Sequence, residues 1–147
     1  MRVYLDNCCY NRPFDLQNQT RVQVETASKL AVQLLMATSR IEYAWSAILD
    51  YELSYNPSPK RRRTIRRWKS GACCFVDSSA TVRHRAKELQ SIGLKPKDAA
   101  HLASAESAGC DWLLTTDDRF IKRASGNTTV RVASPVVFIM ENRDEDV

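Results

Sequence analysis

Asp6 closes the apolar run Arg2 to Leu5, Glu52 falls within SAILDYEL, Asp98 opens KPKDAAHLA, and Asp117 and Asp118 end the run WLLTTDD. Asp6 and Asp117 stand at strand ends, Asp98 at a helix start, and Glu52 in the helix that follows the second strand. In alternating strand–helix chains, ligand sites lie beyond the carboxyl ends of the strands. These positions therefore share one edge of a parallel sheet, and the acids are expected to meet in one pocket. Carboxylates gathered without cations raise one another's pKa values, and a bound metal ion removes the conflict. All-oxygen donors suit Mg²⁺ or Mn²⁺ better than Zn²⁺. Singly, each acid has an ordinary explanation: Asp98 in a first helical turn, Glu52 on a solvated helix face, Asp117 or Asp118 as a helix cap. Asp118 is assigned the capping role, because consecutive residues leaving a strand point apart. The conjunction carries the signal.

The elements that would position these acids are legible in the chain. The stretch Lys95 to Phe120 organises the rest: Pro96 opens a helix, Gly109 stops it, and a short apolar strand follows. Before it, Arg2 to Leu5 suits an opening strand, and Asn11 to Asp15 is a polar, proline-containing turn. From about Gln19 to Ala37, apolar residues at Ala27, Leu30, Ala31, Leu34 and Leu35 form the stripe of an amphipathic helix. Glu42 to Ser46 predicts a second strand, and Ala47 to Tyr55 a short helix ended by NPSP. Lys60 to Lys69 predicts a helix with Ile65 and Trp68 as its apolar pair. Cys73 to Val76 predicts a third strand and Ala80 to Ile92 a helix. After the organising stretch come a short helix at Asp118 to Ala124, a strand at Val130 to Val132, and a closing helix from Pro135. An acidic tail from about residue 142 is expected to fray. This alternation predicts a single α/β domain over 1–147, a mostly parallel sheet with helices on both faces.

Composition narrows the function classes. At 147 residues, 44% hydrophobic and 27% charged, the chain resembles a globular protein rather than a disordered one. It holds no run of 18 apolar residues, and its first residues are too polar for a signal peptide, so the expected location is cytoplasmic, with no membrane association. Five cysteines, in two adjacent pairs and one singlet, make a poor disulfide framework and a poor zinc site. They are expected to be small buried hydrophobes. No P-loop and no GxSxG motif is present, and there are two histidines, His84 and His101. His101, three residues after Asp98, is expected to pack or to touch a site residue rather than to react. The net charge of +5 is uneven. Lys60 to Lys69 carries seven cations and no acid, and outside it 15 basic residues face 17 acidic ones. Arg61, Arg62, Arg63, Arg66, Arg67 and Lys69 are candidate phosphate contacts, with Trp68 available to stack on bases. The other readings of this block are a solvated helix face and a dock for an acidic partner.

The segments VYLDNCCYNRPF, SAILDYEL, KPKDAAHLASAESAGCDWLLTTDDRF and SPVVF, in this order over nearly the whole chain, resemble the PIN-domain ribonucleases found as VapC-like toxins of bacterial toxin–antitoxin pairs. The resemblance implies a PIN-like three-layer α/β/α sandwich with a five-stranded sheet. It places the family's acidic site on Asp6, Glu52, Asp98 and Asp117, and its hydroxyl residue on Thr115. It further implies RNA cleavage, an antitoxin partner and a homodimer. The Thr-Thr-Asp-Asp doubling leaves Asp117 and Asp118 as alternative ligands, and the basic block is denser than the family pattern. The expected chemistry is hydrolysis with one or two Mg²⁺ or Mn²⁺ ions on Asp6, Asp98 and Asp117, and Glu52 as a further ligand or a base. The rival reading is a PIN-like module that binds RNA or protein without cleaving.

Overall fold

Five short strands line up in parallel in the order β3–β2–β1–β4–β5 in a computed structural model, which describes residues 1–142. They are β1 (Arg2–Leu5), β2 (Glu42–Ser46), β3 (Cys74–Val76), β4 (Trp112–Leu114) and β5 (Arg131–Ala133). Register pairs Val3 with both Tyr43 and Trp112, and Leu113 with Val132. The central strands read as continuous apolar runs because both faces are covered. Val3, Tyr4, Leu5, Leu113 and Leu114 are all fully buried.

Helices fill the crossovers: α1 (Asn7–Asn11), a 3₁₀ turn (Arg12–Phe14), α2 (Thr20–Ala37), α3 (Ala47–Ser54), α4 (Pro59–Ser70), α5 (Ala80–Ser91), α6 (Pro96–Ser107), α7 (Asp118–Ala124) and α8 (Pro135–Glu141). Serine side chains cap α3, α4, α5 and α8 by accepting a backbone N–H of the first turn. Gly109 adopts φ +68° after α6, the left-handed conformation that ends a helix cheaply only with glycine. α5 packs along α6, and α2 along α8.

The chain travels β1 to β2 to β3 in one direction, then crosses back to β4 on the far side of β1. Its direction reverses between β1 and β4, which opens a crevice at their carboxyl ends. No described helix is long and apolar enough to cross a membrane. The acidic tail expected to fray lies, from residue 143, outside the described residues. Asn142 itself is buried and donates to the Phe138 carbonyl at 2.9 Å.

The stretch after β1, for which the sequence offered no element before Asn11, is helical from Asn7, because Asp6 accepts the Cys8 N–H at 2.6 Å and caps the turn. Two expectations need correction. The helix over 20–37 forms, but its apolar stripe is not its buried face. Leu30 and Leu34 are 51% and 65% exposed, whereas Glu25, Lys29, Val32 and Met36 are buried. The cysteines also divide. Cys9 and Cys110 are buried, but Cys8 and Cys74 are half-buried and Cys73 is exposed; all five are free thiols.

Candidate active site

A cavity of about 660 Å³ opens at the switch point between β1 and β4, and Asp6, Glu52, Asp98 and Asp117 all line it. Asp6 arrives on the end of β1. Its Oδ1 caps α1, and its Oδ2 accepts the Thr115 hydroxyl at 2.7 Å. Thr115 is fully buried behind it at the end of β4 and also accepts the Asp117 N–H, so one hydroxyl ties two of the acids together. Asp98 comes from the first turn of α6, where the helix dipole favours an acid. Glu52 comes from α3, with Asp50 turned away to bond Trp45 Nε1 and Lys69.

The Asp117/Asp118 ambiguity resolves against the expectation that Asp118 caps the next helix. Asp117 is the cap: its Oδ1 accepts the Arg119 and Phe120 N–H groups while the residue still faces the cavity. Because α7 begins at Asp118, that side chain projects from the helix surface and pairs with Arg21 at 2.9 Å.

Burial and crowding shape the charge state. The Asp6 carboxyl is pushed up to about 8, chiefly by burial. Asp98 is pushed up to about 6 by burial and then by repulsion from Asp6 and Asp117. Asp98 therefore feels two neighbouring acids, a crowding that a bound cation would relieve. Among the described residues, no three His, Cys, Asp or Glu side chains already stand as a closed metal cage. Mg²⁺ does not demand one, since it keeps several waters and takes one or two carboxylates.

Other cavity residues escaped the sequence reading. Asp15 adds a fifth carboxylate. Asn7 and Asn11 line the wall together, Asn11 donating to the Asn7 side chain at 3.0 Å. Lys95 and Lys97 stand exposed on the rim, flanking Pro96. The run Lys-Pro-Lys-Asp held that signal, cations one and three residues before a site acid. Cys8 also faces the cavity, its sulfur receiving the Thr116 hydroxyl and N–H at 3.1 and 3.3 Å. His101 is buried against Glu52 and makes the contact with a site residue that was one of its two expected roles.

The basic block forms α4, and none of its side chains lines the cavity. Its start is joined to the cavity wall, since Asn56 donates to Asn11 at 3.0 Å. Arg61 donates to the Phe14 carbonyl, Arg62 to that of Asn56, and Lys69 pairs with Asp50. Arg63, Arg66 and Arg67 are exposed. Trp68 is half-buried edge-on to Tyr43, which commits it to packing rather than to base stacking.

A family model described as PIN domain matches residues 14–126, a span that includes Glu52, Asp98 and Asp117 and begins after Asp6. No curated protein matches the sequence significantly. Among solved structures, the fold is similar to the crystal structure of VapBC2 from Rickettsia felis bound to a DNA fragment from their promoter. The TM-score is 0.57 and the sequence identity 16%, over 90% of this chain and 97% of that one.

Proposed function

The chain belongs to the PIN domain family, and from that membership we propose that it is a metal-dependent endoribonuclease, the toxin of a toxin–antitoxin pair. The observation that carries this reading is the convergence of four carboxylates, from four separate segments, on one open cavity at the sheet's switch point. Asp6, Asp98 and Asp117 are hard oxygen donors gathered on one cavity, and they fit Mg²⁺ or Mn²⁺. When bound, such an ion lowers the pKa of a water and offsets charge on the phosphodiester.

The protein's own groups do the rest. Thr115 fixes Asp6, and Asp117 is held at the start of α7. Glu52 orients the attacking water and accepts its proton at the oxygen that faces the cavity. Lys95 and Lys97 draw a phosphate toward the rim, and Arg63, Arg66 and Arg67 extend that attraction along α4. The VapBC2 likeness supports a VapB-like antitoxin as partner, and the reading goes with a cytoplasmic homodimer.

A non-catalytic RNA- or protein-binding module is the second reading, favoured by the exposed basic side chains of α4 that stand outside the cavity. Purified protein incubated with a mixed RNA pool and Mn²⁺ or Mg²⁺, beside Asp6→Asn and Asp98→Asn, separates the two. Cleavage abolished by EDTA and by both substitutions is the expected result. RNA bound but left intact by every protein would sink the nuclease and leave the module.

A further inference from the structure

Behind the cavity a hydrogen-bond chain runs inward from Glu52. The Glu52 carboxylate meets His101 Nε2, His101 Nδ1 meets the Tyr4 hydroxyl at 2.6 Å, and that hydroxyl meets Ser46 Oγ at 2.6 Å. His101 is 2% exposed, and Tyr4 and Ser46 not at all. The chain also ties together the elements that carry the acids. Tyr4 lies on β1, two residues before Asp6. Ser46 caps α3, which holds Glu52, and His101 follows Asp98 on α6.

Counting protons leaves little freedom. A Glu52 that serves as the base has no proton to give, so Nε2 carries the hydrogen of the Glu52 contact. Nδ1 then accepts from Tyr4, which accepts from Ser46. In the alternative, Nδ1 is protonated too and donates to Tyr4, whose hydroxyl turns to Ser46. Nε2–H faces Glu52 in both arrangements. The opposite neutral tautomer sets two acceptors against each other where water is excluded, a costly arrangement.

We propose that His101, held in register by Tyr4, is a positioning residue that grips one Glu52 oxygen and leaves the other aimed into the cavity; this rests on the nuclease reading of that cavity. Without the grip, Glu52 has the rotamer freedom of a long side chain to leave that position. Misplacement of a catalytic group by about 1 Å costs on the order of 10²-fold in rate. A histidine that merely fills core space predicts no such dependence.

The test is single-turnover RNA cleavage with Mn²⁺ by wild type, Glu52→Gln, His101→Leu, His101→Gln and Tyr4→Phe, with melting curves for each. His101→Leu should lower the single-turnover rate constant by about 10²-fold with the half-saturating protein concentration within about twofold. His101→Gln, whose amide N–H reaches nearly the place of Nε2–H, should stay within about fivefold of wild type, and Tyr4→Phe should lose about tenfold. In the Glu52→Gln background, His101→Leu should add less than about twofold, because it acts through Glu52. A folded His101→Leu that cleaves like wild type, or a loss that simply multiplies with that of Glu52→Gln, overturns the proposal. Imidazole ¹⁵N spectra of wild type decide it independently of activity and of variant folding. Protonated Nε2 is expected, and a neutral Nδ1–H tautomer overturns it. Failure of the nuclease reading is seen separately, as wild type that does not cleave or cleavage indifferent to Asp6→Asn.

Discussion

The acid cavity and the underside of α2 both bury ionisable groups, and they resolve the cost in different ways. Asp6 and Asp98 line an open space, and their carboxyls are pushed up to about 8 and about 6. Lys29 is 1% exposed on the inner face of α2, with Nζ lacking a hydrogen-bond partner and standing 5.0 Å from the Tyr10 ring centre. Its amine is pushed down to about 7 by burial. One turn earlier, Glu25 is equally buried but sits between Arg12 and Arg21, each at 3.6 Å. Burial leads the shift in both places. In the cavity a second cause joins it, repulsion between groups of one sign, and that strain can be relieved by a solute entering from outside. Lys29 can be relieved only by giving up its own proton. A shifted pKa therefore does not by itself mark a functional site; same-sign groups around an accessible cavity make the stronger case.

Four experiments would break or sharpen this contrast. The largest effect is expected in the cavity, where Asp6→Asn or Asp98→Asn should cut RNA cleavage by about 10³-fold or more while melting temperature holds or rises. Asn still caps α1 at position 6, so a large drop in melting temperature would instead assign Asp6 a mainly structural role.

Under α2 the sign is opposite. Lys29 titrates at about 7 when folded and at its ordinary 10.5 when unfolded, so the unfolded chain binds more protons between those values. Stability should then climb as pH rises from about 7 toward 10, by up to about 1.4 kcal/mol per unit from this group. Lys29→Met should flatten that slope and add about 3 kcal/mol at pH 7 by urea unfolding. An unchanged slope would mean that the amine is solvated after all.

The third experiment compares Mn²⁺ stabilisation at two pH values. Because the Asp6 and Asp98 pKa values are raised on folding, the metal-free protein loses stability as pH rises through the window from about 4 to 8. Added Mn²⁺ should raise the melting temperature by several degrees at pH 8 and by less at pH 5, where protons compete for the same oxygens. Equal shifts would remove the cavity acids as ligands. The smallest effect is expected on α4. Changing Arg63, Arg66 and Arg67 to Gln should lower the slope of log affinity for single-stranded RNA against log salt by about 2, with folding stability within about 0.5 kcal/mol. A slope that does not move would assign those arginines elsewhere.

Much of this could be read before any coordinates. The strand–helix alternation, the Pro96 start and Gly109 stop of α6, and the acids at three element ends and in the helix after β2 were all local signals. The α2 stripe misled because periodicity reports that a helix has two faces, not which one the sheet takes. Leu30 and Leu34 look like core residues, yet tertiary packing turned Val32 and Met36 inward along with two charged residues. Asp118 was misassigned because capping and facing the cavity were given to different residues, whereas Asp117 does both at the start of α7. Lys95 and Lys97 were overlooked beside the denser block at 60–69.

The sequence by itself determined the order of the strands and of the helices from α2 onward, the α/β class and the delivery of acids to one sheet edge, since each depends on local propensity and on period. Only the tertiary structure decided that Asp117 rather than Asp118 faces the cavity, that Lys29 is sealed beneath α2, and that His101 meets both Glu52 and Tyr4. Those contacts join residues 49 and 97 positions apart in the chain. No local preference encodes such a distance; the parallel register of β1 with β2 and β4, and the packing of α3 against α6, bring these groups together.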